Sequence, residues 1–320
     1  MKKIVKAFLI LIIIFSILTL YRDVYYKPYT RICSWNIEFF GLVDIEDNSQ
    51  SYYQETAKRI LINDPSIVSL QEVSSVIGAK FLLEYLPGYR LIISDKISEN
   101  NSQLFNSSTL EDIVQSIGSD VSDGIVNRLL MNCFLVKKDI HVKEFSTIHP
   151  RCIKMTYFDK HIENGEDVTI YNFHLPSNYI KNNSQTRKEI LHKFIYTIDD
   201  PKETNIVLCG DFNALKSSDE IAILTDHHFY DSCEIIQALP YQKNNTHPFD
   251  KWSTMTWNDP TDTRVNMEGR KNTRVDYFFV SKHMYRHVLG GFTDKTHCNG
   301  NLGDLMGEIS DHCAIYLDLS

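Results

Sequence analysis

Six short motifs put polar side chains inside or beside apolar runs of strand length. They are Cys33-Ser34-Trp35-Asn36-Ile37, Ser69-Leu70-Gln71-Glu72-Val73, Asn172-Phe173-His174-Leu175, Gly210-Asp211-Phe212-Asn213, Arg274-Val275-Asp276-Tyr277-Phe278-Phe279-Val280 and Ser310-Asp311-His312. A charge among apolar residues is costly unless it is paired or bound to metal. One such motif would be noise, but six need a common explanation. A divalent cation supplies it. Asn36, Glu72, Asp211, Asn213 and Asp311 offer the carboxylate and amide oxygens that Mg²⁺ takes while keeping several waters, with Mn²⁺ as the alternative. If the segment is extended, Asp211 and Asn213 point the same way, and Gly210 lets the backbone turn there. Asp276 reads as mid-strand, with Val275, Tyr277 and Phe279 on the opposite face. Its expected partner is a histidine whose ring it orients, and His312 is the candidate. His174 is expected across the reacting centre as hydrogen-bond donor or acid. Such a set supplies what phosphodiester hydrolysis needs: charge neutralisation, an activated water and a protonated leaving group.

The segments between these motifs must position them. Residues 31–37, 66–73, 89–94, 129–136, 152–158, 168–173, 205–209, 274–280 and 313–319 read as strands. Helical patterns occupy 52–61, 77–86, 185–198 and 219–224. The first ends before Asn63-Asp64-Pro65 and the second at Pro87-Gly88, because proline disfavours helix before it. Residues 96–123 are rich in Ser and Asn and read as a surface insertion, with a helix at 110–117. Strands with interspersed helices and no strict βαβ rhythm point to α+β layering. No internal repeat and no Gly-rich phosphate loop is evident.

The order S-W-N-I, L-Q-E-V, N-F-H-L, G-D-F-N-A, R-V-D-Y-F-F-V and S-D-H resembles the deoxyribonuclease-I-like endonuclease/exonuclease/phosphatase superfamily, over about residues 30 to 320. The resemblance implies a four-layer α/β/β/α sandwich with two packed, mostly antiparallel sheets. It implies metal ligation by Asn36, Glu72 and Asp311. It places Asp211 and Asn213 on the nucleophilic water and metal, His174 on the scissile phosphate, and Asp276 with His312. Asn132 could match a phosphate-contacting asparagine of the family, although a satisfied strand-end amide is the favoured reading. Subfamily signals diverge. R-V-D-Y-F-F-V is similar to abasic-site endonucleases and L-C-G-D-F-N-A to deadenylases. Thr256-Trp257-Asn258-Asp259-Pro260 is similar to the T-W-D segment of sphingomyelinases and tyrosyl-DNA phosphodiesterases, with Asn258 where Asp is usual. The W-C-D-R signature of inositol 5-phosphatases is absent.

The expected function is therefore a metal-dependent phosphodiester hydrolase, first a nuclease acting on nucleic acid. A sphingomyelinase-like phospholipase acting on phospholipid is the alternative, and an inactive binding module on the same fold is the second. The 320 residues suit one large domain, here 30–320, and 43% apolar residues can bury a sizeable core. The net charge of −8 argues against gripping nucleic acid by charge alone. Lys181, Arg187 and Lys188 read as a solvated helix face. Lys2, Lys3 and Lys6 precede the apolar run 7–20, so residues 1–22 read as a signal peptide or membrane anchor, with 23–29 as tether. This predicts membrane association and a catalytic domain secreted or held outside the cytoplasm. Seven cysteines without a C-x-x-C pair argue against a zinc site and leave room for one disulfide in an exported chain.

Overall fold

The computed structural model describes residues 29–40, 49–73, 76–93, 131–177, 183–239, 274–294 and 312–320. The apolar run 7–20, the insertion 96–123, the segment 256–260 and Asp311 lie outside the described residues. Among the described residues, no helix is long and apolar enough to cross a membrane.

The first sheet contains β1 (Thr30–Phe40), β2 (Ile67–Val73), β3 (Tyr89–Ile92), β4 (Met131–Lys137), β11 (Val288–Asp294) and β12 (Ala314–Leu319). The second contains β5 (His141–His149), β6 (Cys152–Asp159), β7 (Glu166–His174), β8 (Ile206–Asp211), β9 (Phe229–Asp231) and β10 (Asp276–Ser281). Their spatial orders are β3-β4-β2-β1-β12-β11 and β5-β6-β7-β8-β10-β9. In each sheet the central pair is parallel, β2 with β1 and β7 with β8, and every other pairing is antiparallel. This is the expected four-layer sandwich.

Alternation builds the layers, because successive strand side chains face opposite ways. Ile32, Ile67, Phe134, Ile170, Val207, Phe278 and Leu317 lie in the core between the sheets. Their neighbours Cys33, Val68, Leu135 and Tyr316 pack outward with α1 (Ser49–Asn63) and α2 (Val76–Glu84), through Tyr53, Ala57, Ile60, Ala79 and Leu82. On the other side Tyr171, Leu208, Tyr277 and Phe279 pack with α3 (Asn183–Ile195) and α4 (Asp219–Asp226), through Leu191, Phe194, Ile221 and Leu224. A short α5 (Ser232–Ala238) adds Ile235 and Ile236 to the inner core.

Four elements have no counterpart in the sequence-based assignment: β5, β9, α5 and β11. Strand β5 is an edge strand, exposed or half-buried along its whole length, so it lacks an apolar alternation to read. Strand β11 is also an edge and contains Gly290-Gly291, which weakens a strand signal. Asp276 begins β10 rather than lying mid-strand. Arg187 corrects the expected solvated face: it is buried, and its guanidinium makes two hydrogen bonds to Glu220 Oε1, at 2.7 and 3.0 Å.

Candidate active site

The face that forms the apolar inter-sheet core turns polar toward one end. On β1 it runs from Ile32 to Ser34 and Asn36, and on β2 from Ile67 to Ser69 and Gln71. On β7 it runs from Ile170 to Asn172 and His174, and on β8 from Val207 and Cys209 to Asp211. The parallel pairs of both sheets therefore end in polar groups on the same inner face, and the polar cluster of the site lies there.

A buried amide network forms the pocket floor. Gln71 Nε2 donates to Asn172 Oδ1 at 2.8 Å and to Ser34 Oγ at 3.2 Å. Asn172 Nδ2 donates to the carbonyls of Leu70 at 3.0 Å and Cys133 at 3.2 Å. Asn132 Nδ2 donates to the Asn172 carbonyl at 3.0 Å, so it is the satisfied strand-end amide favoured from sequence. All but the Gln71–Ser34 bond cross from one sheet to the other and fix their register.

Glu72 ought to face outward by parity with Val68 and Leu70. Its φ of 58° breaks the alternation, and its carboxylate contacts inner-face groups instead. Asn36 Nδ2 donates to Glu72 Oε1 at 2.9 Å and to Asp211 Oδ2 at 3.2 Å, joining the sheets. His174 Nε2 lies 3.3 Å from Glu72 Oε1. Burial pushes the Glu72 carboxyl up. The His174 hydrogen bond, with the Asn36 amide, outweighs this and holds it at about 2.

Asp211 closes β8 beside Asp276, its register partner on β10. Burial and then the Asp276 charge push the Asp211 carboxyl up to about 6. Asn213 is not extended: its φ is 48°, and the side chain folds back. Its backbone N–H and Nδ2 donate to the two Asp211 oxygens at 2.8 and 2.9 Å, and Nδ2 also donates to the Leu175 carbonyl at 2.9 Å. Asn213 thus braces Asp211 and the chain after His174. Gly210 is obligatory here. Its φ is 126°, and a Cβ would stand 1.9 Å from the Phe173 carbonyl oxygen of β7.

His312 Nδ1 lies 2.8 Å from Asp276 Oδ2, so the expected pair forms, and both side chains are buried. Its Nε2 is 3.9 Å from Asp211 Oδ2. Trp35 Nε1 holds the His312 carbonyl at 3.1 Å. Two groups of potential ligand atoms result, Glu72–His174–Asp211 and Asp211–Asp276–His312, sharing Asp211. Of the eight residues picked out from sequence, seven converge in one connected cluster: Asn36, Glu72, His174, Asp211, Asn213, Asp276 and His312. Asp311 lies outside the described residues.

Arg151, just ahead of β6, is the site residue that the sequence did not reveal. Its Nη1 is 3.3 Å from His174 Nδ1, and its carbonyl accepts the His174 N–H at 3.0 Å. Burial pushes its guanidinium down from the ordinary value, against the pull of Glu72 and Asp211. Elsewhere, His227 and His287 place Nδ1 against the carbonyls of Ile223 and Ser320, as packing histidines do.

Residues 33–312 match the Endonuclease/Exonuclease/phosphatase family. The chain belongs to that family. No curated protein matches it in sequence. Among solved structures, the family fold recurs in D. rerio TDP2 complexed with a single-strand DNA product: 17% identity, TM-score 0.56, covering 92% of this chain and 99% of that one. The human Nocturnin catalytic domain with bound sulfate is similar at 18% identity and TM-score 0.57, covering 92% and 95%. So is the mannosyl-6-phosphatase Bt3783 of Bacteroides thetaiotaomicron, at 16% identity and TM-score 0.57, covering 91% and 99%. At these identities the likeness concerns the fold.

Proposed function

We propose that this family member is a divalent-metal-dependent phosphodiesterase, and first a nuclease. The observation that carries the reading is the convergence of Glu72–His174 and Asp276–His312 on Asp211 from two different sheets. The donor set fits a hard cation. Glu72 and Asp211 supply carboxylate oxygens, and burial first, then the Asp276 charge, raise the Asp211 carboxyl, a cost that a bound cation would relieve. Glu72 and Asp211 would hold it, together with Asn36 and Asp311 as the family resemblance implies. When bound, Mg²⁺ or Mn²⁺ would neutralise phosphate charge and make the attacking water more acidic.

The residues then divide the work. His312 Nε2 takes a proton from the attacking water, and Asp276 stabilises the imidazolium formed. Asp211, braced by Asn213, orients that water. His174 hydrogen-bonds a phosphate oxygen from the other side, and Arg151 adds positive charge to an otherwise acidic pocket.

The nuclease reading is favoured by the sequence likeness of Arg274–Val280 to abasic-site endonucleases. It is also favoured by the nucleic-acid ligand of the TDP2 structure, and an AP endonuclease of Archaeoglobus fulgidus shares the fold. The test is parallel assay of the full chain with Mg²⁺ on plasmid DNA, RNA and sphingomyelin vesicles. Nicking or degradation of nucleic acid is expected. Turnover of sphingomyelin alone would replace the nuclease by the phospholipase.

We further propose that residues 1–22 direct the chain to a membrane and that the catalytic domain works outside the cytoplasm. Besides the Lys2/Lys3/Lys6 asymmetry, cysteine usage supports this. Cys33, Cys133, Cys152, Cys209 and Cys233 are buried thiols, whereas Cys313 is disulfide-bonded, which suits an oxidising compartment. Protease digestion of sealed vesicles should spare the domain from the cytoplasmic side, and non-reducing peptide mapping should recover Cys313 in a disulfide. Digestion from that side would overturn the proposed orientation.

A further inference from the structure

The two site histidines are held by opposite kinds of neighbour. Arg151 Nη1 is 3.3 Å from His174 Nδ1. A guanidinium carries five N–H donors and no acceptor, so in this contact Nδ1 must be the acceptor. A neutral ring then keeps its proton on Nε2, the atom 3.3 Å from Glu72 Oε1. Both contacts use ring nitrogens. A flipped ring would put carbons against the arginine and the carboxylate and lose both. His312 is the reverse case. Its Nδ1 faces Asp276 Oδ2 at 2.8 Å. A carboxylate oxygen accepts, so Nδ1 carries the proton and Nε2 presents a lone pair.

We propose that Arg151 is a positioning residue that fixes His174 as the Nε2–H tautomer, so that the two histidines meet the substrate in opposite tautomers. His174 offers a hydrogen-bond donor and His312 an acceptor. The arginine is itself anchored for this. Its carbonyl accepts the His174 backbone N–H at 3.0 Å, and its own N–H donates to His149 Nδ1 at 3.0 Å. Backbone and side chain of Arg151 therefore grip the same histidine, and register between β6 and β7 carries the alignment. Donor and base both lie beside Asp211, so both can address one phosphate there. A phosphate oxygen is held by a group that cannot compete for the water's proton, while the base has its lone pair free. The catalytic consequence rests on the phosphodiesterase reading; the tautomer assignment does not.

The test has an arm for each. Long-range ¹H–¹⁵N correlation spectra of the ¹⁵N-histidine-labelled full chain, in chelator near neutral pH, read which ring nitrogen is protonated. Signals are assigned by their loss in His174→Gln and His312→Gln. The expected result is protonation at Nε2 for His174 and at Nδ1 for His312. Arg151→Met should turn His174 into a tautomer mixture, and Arg151→Lys, which keeps a donor, should restore Nε2–H. With Mg²⁺ and bis(4-nitrophenyl) phosphate, Arg151→Met should lower kcat by about 10–100-fold with little change in KM. His174→Gln, whose amide reaches the Nε2 position, should retain more activity than His174→Asn. An Nδ1–H His174 in the unmodified chain overturns the proposal even if Arg151→Met does not fold. An unchanged tautomer in a folded Arg151→Met chain overturns it too. A chain inactive on every phosphodiester but carrying Nε2–H His174 would refute the phosphodiesterase reading alone.

Discussion

The two sheets share one scaffold and differ in what they carry. Counting inward from β3 and from β5, each sheet has the same succession of strand directions, with the parallel pair at the third and fourth places. The site residues occupy matching places: Glu72 on β2 and His174 on β7, Asn36 on β1 and Asp211 on β8, His312 ahead of β12 and Asp276 on β10. Each matched pair is also in contact, at 3.3, 3.2 and 2.8 Å. Each pairing joins an acid on one sheet to a histidine or amide on the other. Neither sheet alone holds a complete pair, so the pocket exists only once they are docked.

The largest effect should come from breaking the pair with the shortest contact. His312→Ala is expected to lower turnover by about 10³–10⁴-fold. Asp276→Asn should also be severe alone, yet add little to His312→Ala, because it then has no ring to orient. Kinetics of both single mutants and the double mutant, with circular dichroism for folding, check this. Multiplying losses would dissolve the dyad and move the general base to Asp211. Next, Glu72→Gln should lose about 10²–10³-fold in metal-dependent turnover while folding normally.

A third prediction concerns stability. The Asp211 carboxyl is raised in the fold, so its ionisation opposes folding, and the stability it contributes to the metal-free chain should fall as pH rises from its ordinary 3.8 through about 6. The effect is read as a difference from Asp211→Asn, because the lowered Glu72 carboxyl acts in the opposite sense. Asp211→Asn should therefore abolish activity yet stabilise the metal-free chain near neutral pH, by on the order of 1–3 kcal/mol. The gain should vanish near pH 4. Denaturant melts of both chains in chelator at the two pH values decide it; equal stability of the two chains at both would remove the buried-carboxylate account. The smallest effect is expected away from the chemistry. Asn132→Ala leaves the Asn172 carbonyl without its side-chain donor and should cost about 1 kcal/mol in the same melts, with kcat nearly unchanged.

Much of this site was legible in the sequence because acids and histidines inside apolar runs need partners. Asp276 and His312 were paired on that ground. The layering was legible from alternation in β1, β2, β7 and β8. What escaped depends on three dimensions. Arg151 sits in the turn His149-Pro150-Arg151, one of 33 basic residues with no local mark, and only the pairing of β6 with β7 brings it to His174. The positive φ of Glu72 and Asn213 redirects side chains against the strand period, which no count of alternation foresees. The matched sheets share topology without a shared sequence period, since strand direction leaves no residue-level repeat.

The central claim is that one cation site is built jointly by both sheets. Mn²⁺ titration followed by electron paramagnetic resonance tests it most directly, on the unmodified chain, Glu72→Gln from the first sheet and Asp211→Asn from the second. Tight binding in the unmodified chain and at least about tenfold weaker binding in each mutant is predicted. Undiminished Mn²⁺ affinity in either folded mutant would contradict the claim.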